Sequence, residues 1–213
     1  MGETILFIGD SITDCSRGAD KLGLGGGYVD AVATRLRERG DDAVVRNTGI
    51  AGNRIAHLQE RWQADVLDHA PTALSVYIGV NDTLVAFWEG RPTPPKLFEE
   101  RYADVLAQAV AAGVPRILLV EPFYVDTEQA AAPWARGNAF VREDLDRKRP
   151  IVRALAERFG AAFVPLQAPV DAAVAERGPA VLAQDGVHPS ALGHRLIAER
   201  WLAAYDALTA PGR

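Results

Sequence analysis

The chain has 213 residues, 48% hydrophobic and 24% charged, with 28 acidic against 23 basic side chains and a formal net charge of −5. These proportions point to one globular domain over residues 1–213 with a sizeable buried core. No Lys/Arg-rich stripe offers itself to phosphates, which argues against nucleic acid as a partner, and no run approaches the ~20 apolar residues of a membrane span.

The first apolar run, Thr4–Ile8, reads as a strand and passes directly into Gly9-Asp10-Ser11. The run is too short for the core of a signal peptide, and the single cysteine, Cys15, excludes an internal disulfide framework. Both features fit a cytoplasmic location. A serine on a tight turn at a strand end is exposed and can turn its own backbone N–H into a site; the same triplet also suits an ordinary polar turn. A helix is predicted from Gly27 to Arg39, ending at Gly40.

The second run, Ala43–Arg46, leads into Asn47-Thr48-Gly49-Ile50-Ala51-Gly52-Asn53. Gly52 can bring a bare N–H close to a ligand, or the segment can be a helix entry with Asn53 as N-cap. The third run, Ala73–Ile78, leads into Gly79-Val80-Asn81-Asp82, where a fixed Asn amide would suit a developing oxyanion. The Pro-rich Arg91–Pro95 reads as a loop. A helix from about Lys96 places Leu97, Phe98, Tyr102, Val105, Leu106 and Ala109 on one face and stops at Gly113.

Two further runs, Arg116–Val120 and Ala162–Pro165, complete the candidate strands. Between them a helical stretch, Arg142–Arg158, contains Pro150, which predicts a kink or a fresh start. Asp185-Gly186-Val187-His188-Pro189 precedes the last helix, for which Ser190 is the expected N-cap. Histidine is the side chain best suited to general-base work near neutral pH, and an aspartate three residues earlier can turn back to fix its tautomer. His57, His69 and His194 fall in helical stretches and are expected at exposed positions or packing edges. Trp201 and Tyr205 on the last helix fit core packing and a homo-oligomer interface equally well.

Continuous apolar runs alternating with helices predict a doubly wound α/β sandwich with a parallel sheet, whose functional groups lie beyond the carboxyl ends of the strands. Three successive strand ends then supply a hydroxyl, a backbone N–H and an amide donor, and a fourth loop supplies a base and its orienter. Acyl transfer needs this set, and independent turns would rarely fall in this order.

The four blocks Gly9-Asp10-Ser11-Ile12-Thr13, Gly49-Ile50-Ala51-Gly52-Asn53, Gly79-Val80-Asn81-Asp82 and Asp185-Gly186-Val187-His188-Pro189 resemble those of the SGNH hydrolases, also called GDSL esterases. The resemblance spans the chain nearly end to end. It implies a flavodoxin-like three-layer α/β/α sandwich with a five-stranded parallel sheet. It also implies a Ser11–His188–Asp185 triad, and an oxyanion hole built from the Ser11 N–H, the Gly52 N–H and the Asn81 side chain.

A narrower similarity, through Gly9–Cys15, Gly25–Val29, Arg61-Trp62 and Pro122-Phe123-Tyr124, points to the microbial carbohydrate acetylesterases of this family that act on acetylated xylan or xylo-oligosaccharides. One departure is Gln184, where such relatives carry Trp just before the Asp-x-x-His block.

The expected substrate is a small acylated carbohydrate or other ester. Asp10, Arg54, Trp88 and Tyr124 are the candidate substrate-binding residues, with Trp134 as a further sugar platform. The aromatic candidates fit core edges as well, and Arg54 also fits a surface ion pair. No cofactor is required. Asp10, Asp14, Asp82 and His188 lack a metal-ligand spacing, so no metal is expected. Two alternatives stand beside the acetylesterase: a broad short-chain esterase or thioesterase, and an inactive carbohydrate-binding protein.

Overall fold

A computed structural model describes residues 2–84, 89–90, 92–127 and 138–210. Five strands form one parallel sheet: β1 (Thr4–Gly9), β2 (Val44–Asn47), β3 (Ala73–Tyr77), β4 (Ile117–Val120) and β5 (Ala162–Val164), in the order β2-β1-β3-β4-β5. Every strand predicted from the apolar runs is present within one or two residues.

Eight α-helices are described: α1 (Ser11–Asp14), α2 (Tyr28–Glu38), α3 (Ile55–Asp65), α4 (Pro95–Ala111), α5 (Asn138–Arg158), α6 (Gln167–Arg177), α7 (Pro179–Leu182) and α8 (Ala191–Thr209). Successive side chains of a strand point to opposite faces, so β1 divides its apolar residues between two cores. Ile5 and Phe7 pack with α2 and α8 around Tyr28, Trp201 and Tyr205. Leu6 and Ile8 pack with α3, α4 and the later turns of α5 around Trp62, Phe98 and Tyr102. The result is the three-layer α/β/α sandwich, with the flavodoxin-like strand order.

Burial refines several expectations. The runs at β2 and β5 predict strands covered on both faces, yet these are the edges of the sheet, and Val44 is 50% exposed. Leu97, expected on the apolar face of its helix, is 36% exposed, while Phe98, Tyr102, Val105, Leu106 and Ala109 are buried. Pro150 starts no new helix, since α5 runs through it from Asn138 to Arg158. The backbone bond that proline forfeits is offset by its neighbours, with Arg149 anchored just before it and Val152, Leu155 and Ala156 buried just after. Trp201 and Tyr205 lie in the core: the Trp201 indole stacks on Tyr205 at 5.0 Å and donates to Ser75 Oγ at 2.9 Å. Among the described residues no helix is long and apolar enough to cross a membrane.

In this strand order the direction of winding reverses between β1 and β3. Their carboxyl ends flank the crevice where such folds bind ligands. Ser11 follows β1 and Asn81 lies four residues beyond β3.

Candidate active site

The serine turn is built on the sheet. A Cβ on Gly9 would stand 2.3 Å from the Tyr77 carbonyl oxygen and 2.4 Å from Thr13 Oγ1, so only glycine lets β1 end this close to β3. Asp10 caps the single-turn helix α1, its Oδ1 accepting the Ile12 N–H at 3.0 Å. Asn47, at the end of β2, donates through Nδ2 to the carbonyls of Thr13 (2.6 Å) and Leu24 (2.7 Å), and its Oδ1 accepts the Gly49 N–H at 2.9 Å. The loop after β2 is tied to the same turn by Ile50 N–H to the Gly9 carbonyl (3.1 Å) and Ala51 N–H to Asp14 Oδ2 (3.1 Å).

Within that loop Gly52 has φ = +79°, with open space where a side chain would begin. Backbone conformation rather than crowding therefore favours glycine. Helix α3 starts from Arg54, not Asn53, as N-cap. Asn53 instead accepts from Arg61 Nε at 2.8 Å through its side chain and from Asn81 Nδ2 at 3.1 Å through its carbonyl. That last bond fixes the Asn81 amide between the loops after β2 and β3 and leaves its second N–H to donate elsewhere.

His188 and Asp185 reach the serine from the loop between α7 and α8. Ser11 Oγ lies 3.0 Å from His188 Nε2, and His188 Nδ1 lies 2.6 Å from Asp185 Oδ2. Asp185 Oδ1 accepts the N–H groups of Val187 (3.0 Å) and His188 (2.8 Å), which closes the turn. Burial raises the Asp185 pKa, but the hydrogen bond to the His188 ring and those two backbone donors outweigh it and hold the carboxyl at about 2. The Asp185 hydrogen bond raises His188 above its ordinary 6.5, against an opposing contribution from burial. A hydroxyl, an imidazole and a carboxylate in this relay can activate an oxygen nucleophile and stabilise the imidazolium that results. Among the described residues no cluster of three or more His, Cys, Asp or Glu could hold a metal ion.

Two of the expected substrate-binding residues lie elsewhere. Asp10 is 1% exposed beneath the serine turn, so it faces the interior rather than a ligand. Its burial raises the carboxyl pKa to about 7, with the Ile12 N–H and the charge of His188 opposing. Tyr124 is buried too, its ring packed against Gly186, and offers no face to a sugar. The segment after β4 places this side chain in the interior, which composition alone does not reveal. Arg54 reaches Glu89 at 2.9 Å. Trp88 and Trp134 lie outside the described residues.

The structure adds supporting residues that the sequence did not single out for such roles. Arg61 spans three segments of the site, donating to the carbonyls of Gly9 (3.2 Å) and Thr48 (2.7 Å) and to Asn53. Lys148, 0% exposed on α5, donates to Asp144, to Thr83 Oγ1 (3.0 Å) and to the Asp82 carbonyl (3.4 Å), which pins the segment just after Asn81. Asp82 Oδ2 accepts the Ile55 N–H at 3.0 Å and so joins that segment to α3. Arg61–Asp65 and Asp144–Lys148 are spaced i,i+4, the pattern of solvent-exposed helical pairs, which conceals their inward roles. His194 contributes the other ring to this end of the fold: its Nδ1 accepts the Tyr28 N–H at 3.2 Å, and burial lowers its pKa to about 4.

A parallel sheet with a serine, a histidine and an aspartate in relay beyond its strand ends defines a hydrolase of the α/β class. The chain belongs to the GDSL-like lipase/acylhydrolase family, whose model matches residues 7–196, and it is a carboxylic ester hydrolase. It is 34% identical to an acetylxylan esterase of Geobacillus stearothermophilus over 94% of this chain and 93% of the relative. A protein described as a GDSL-like lipase of Parabacteroides merdae superimposes with a TM-score of 0.86 at 34% identity, covering 95% of this chain and 94% of that one. The acetylxylan esterase Axe2 of Geobacillus stearothermophilus superimposes with a TM-score of 0.83 at 32% identity, covering 95% and 94%. Matching structures include catalytic mutants of Axe2 in which an aspartate, a histidine or a serine is replaced by alanine.

Proposed function

We propose that this esterase removes acetyl groups from carbohydrates through an acyl-enzyme formed on Ser11. The observation that carries the mechanism is the continuous relay from Ser11 Oγ through His188 to Asp185, at 3.0 and 2.6 Å. Ser11 Oγ attacks the ester carbonyl while His188 Nε2 takes its proton. The oxyanion is held by the N–H groups of Ser11 and Gly52 and by the Asn81 amide. His188 then returns the proton to the departing alcohol, and water repeats the cycle to release the acid. The catalytic mutants of Axe2 fall on the same three residue types. One domain over residues 1–213 carries the whole apparatus.

The acetyl and sugar preferences rest on the similarity to acetylxylan esterases. A broader short-chain esterase is the second reading. It is favoured by Gln184, exposed where the resemblance expects an aromatic wall, and by the inward placement of Tyr124.

Three measurements test these readings. A fluorophosphonate should label the native protein and leave Ser11→Ala unlabelled, and Ser11→Ala should lose ~10⁶-fold in kcat. Full activity in Ser11→Ala would refute the mechanism. Acetate release from acetylated xylan or acetylated sugars should exceed turnover of butyryl and longer nitrophenyl esters; the reverse order would select the broader esterase.

A further inference from the structure

The histidine loop is mounted on the segment that follows β4. Segment 121–127 leaves β4 after one last sheet bond, from the Glu121 N–H to the Val164 carbonyl at 3.0 Å; beyond it Pro122–Val125 are buried and must satisfy their peptide groups. Side chains supply the partners. Glu121 Oε2 accepts the N–H groups of Leu166 (2.7 Å) and Gln167 (2.9 Å), which sets the start of α6. Arg149 Nε donates to the Pro122 carbonyl at 3.0 Å.

Gln167 then treats Tyr124 as a neighbouring strand would. Its Oε1 accepts the Tyr124 N–H at 2.9 Å and its Nε2 donates to the Tyr124 carbonyl at 3.0 Å. A primary amide carries one acceptor and two donors, and here all are engaged. Oε1 also accepts from Arg149 at 2.5 Å, and Nε2 also donates to Asp171 at 2.7 Å.

The opposite edge of this segment carries the loop. Val125 N–H donates to the Gly186 carbonyl at 2.9 Å. Gly186 sits so close that a Cβ would fall 2.7 Å from the Val125 carbonyl oxygen and 3.1 Å from the Tyr124 ring. Gly186 lies between Asp185 and His188, so the position of segment 121–127 fixes the position of both.

We propose that Gln167 is a positioning residue for the histidine loop: by pairing with both peptide groups of Tyr124 it holds the segment from which Gly186, and through it His188, is aimed at Ser11. The inference rests on the mechanism proposed above and assigns it a remote support. A displacement of about 1 Å in a reacting group can cost ~100-fold in rate, so a support this far from the chemistry registers in kcat.

The test compares Gln167→Ala with Val105→Ala, a core truncation in α4 on the other face of the sheet. Each is measured for thermal stability, for kcat and KM on a nitrophenyl acetate, and for the downfield proton resonance of the His188–Asp185 hydrogen bond. Gln167→Ala should lower kcat by ~10- to 100-fold with KM little changed, and should shift or broaden that resonance. Val105→Ala should lose thermal stability while keeping kcat and the resonance. Gln167→Glu keeps the acceptor for Tyr124 N–H and Arg149 but replaces both donations with a carboxylate oxygen facing the Tyr124 carbonyl and Asp171, so it should lower kcat and shift the resonance in the same direction; it decides the matter if Gln167→Ala does not fold. A Gln167 variant that loses stability yet keeps the parent's kcat and resonance overturns the proposal. If the parent hydrolyses no ester, the catalytic reading fails by itself, and the resonance still decides whether Gln167 positions the loop.

Discussion

The two halves of the relay are mounted in opposite ways. Ser11 follows β1, a strand paired on both sides with Ile5–Ile8 wholly buried, and main-chain bonds to the Gly9 and Asp10 carbonyls brace its turn. His188 sits between two helices, its side chain 53% exposed, in a loop whose main-chain tie to the segment after β4 is the bond from Val125 to Gly186. The contrast follows from what each group does in the proposed cycle. The nucleophile acts as a neutral hydroxyl and gains from a rigid, dry foundation. The imidazole gains and loses a full charge, and burying that charge would cost far more than leaving its edge in water.

The largest test of this contrast falls on the exposed side. Asp185→Asn keeps an acceptor for the turn but loses the carboxylate on His188, so kcat should drop ~10⁴-fold, with a modest loss of thermal stability because native hydrogen bonds favour the ionised carboxyl, measured on an acetyl ester and by calorimetry. On the sheet side the same care is invested in folding. Lys148→Met strands Asp144 in the interior and should cost about 3–5 kcal/mol in denaturant unfolding. Asn81→Ala should lower kcat by ~100- to 1,000-fold, because in the proposed cycle it removes a donor to the oxyanion.

The smallest effect is one of pH. The Asp185 bond favours the protonated ring, so His188 titrates above 6.5 and only its neutral form can accept the serine proton. The kcat/KM profile should therefore be low in acid and rise through an inflection above 6.5, and Asp185→Asn should move that inflection to lower pH.

Much of the fold is legible in the sequence. The strand ends could be read because parallel strands buried on both faces leave unbroken apolar runs, and Gly9, Gly52, Asn81 and His188 each stand just past such a run or just before a cappable helix. The resemblance to the SGNH hydrolases made the order of those loops meaningful. Depth was harder to read. Asp10 and Tyr124 are polar or amphipathic residues just past strand ends, and their burial is set by tertiary packing that local sequence does not record. Lys148 and Asp144 look like a surface pair because helical spacing carries no record of what covers the helix. Gln167 has no motif at all, since its partners are the peptide groups of a segment 43 residues away.

The distance along the chain between Ser11 and His188 has a consequence of its own. The two are 177 residues apart, so the relay closes only when the first strand and the last helix-bearing segment share one folded body. If the proposed relay is the route of ester hydrolysis, it draws on both Ser11 and His188 and so on most of the fold. Under the proposed mechanism a chain clipped ahead of α7 lacks both Asp185 and His188 and is expected to be inert rather than half active. In the proposed cycle, turnover would then report completed folding through one contact of 3.0 Å.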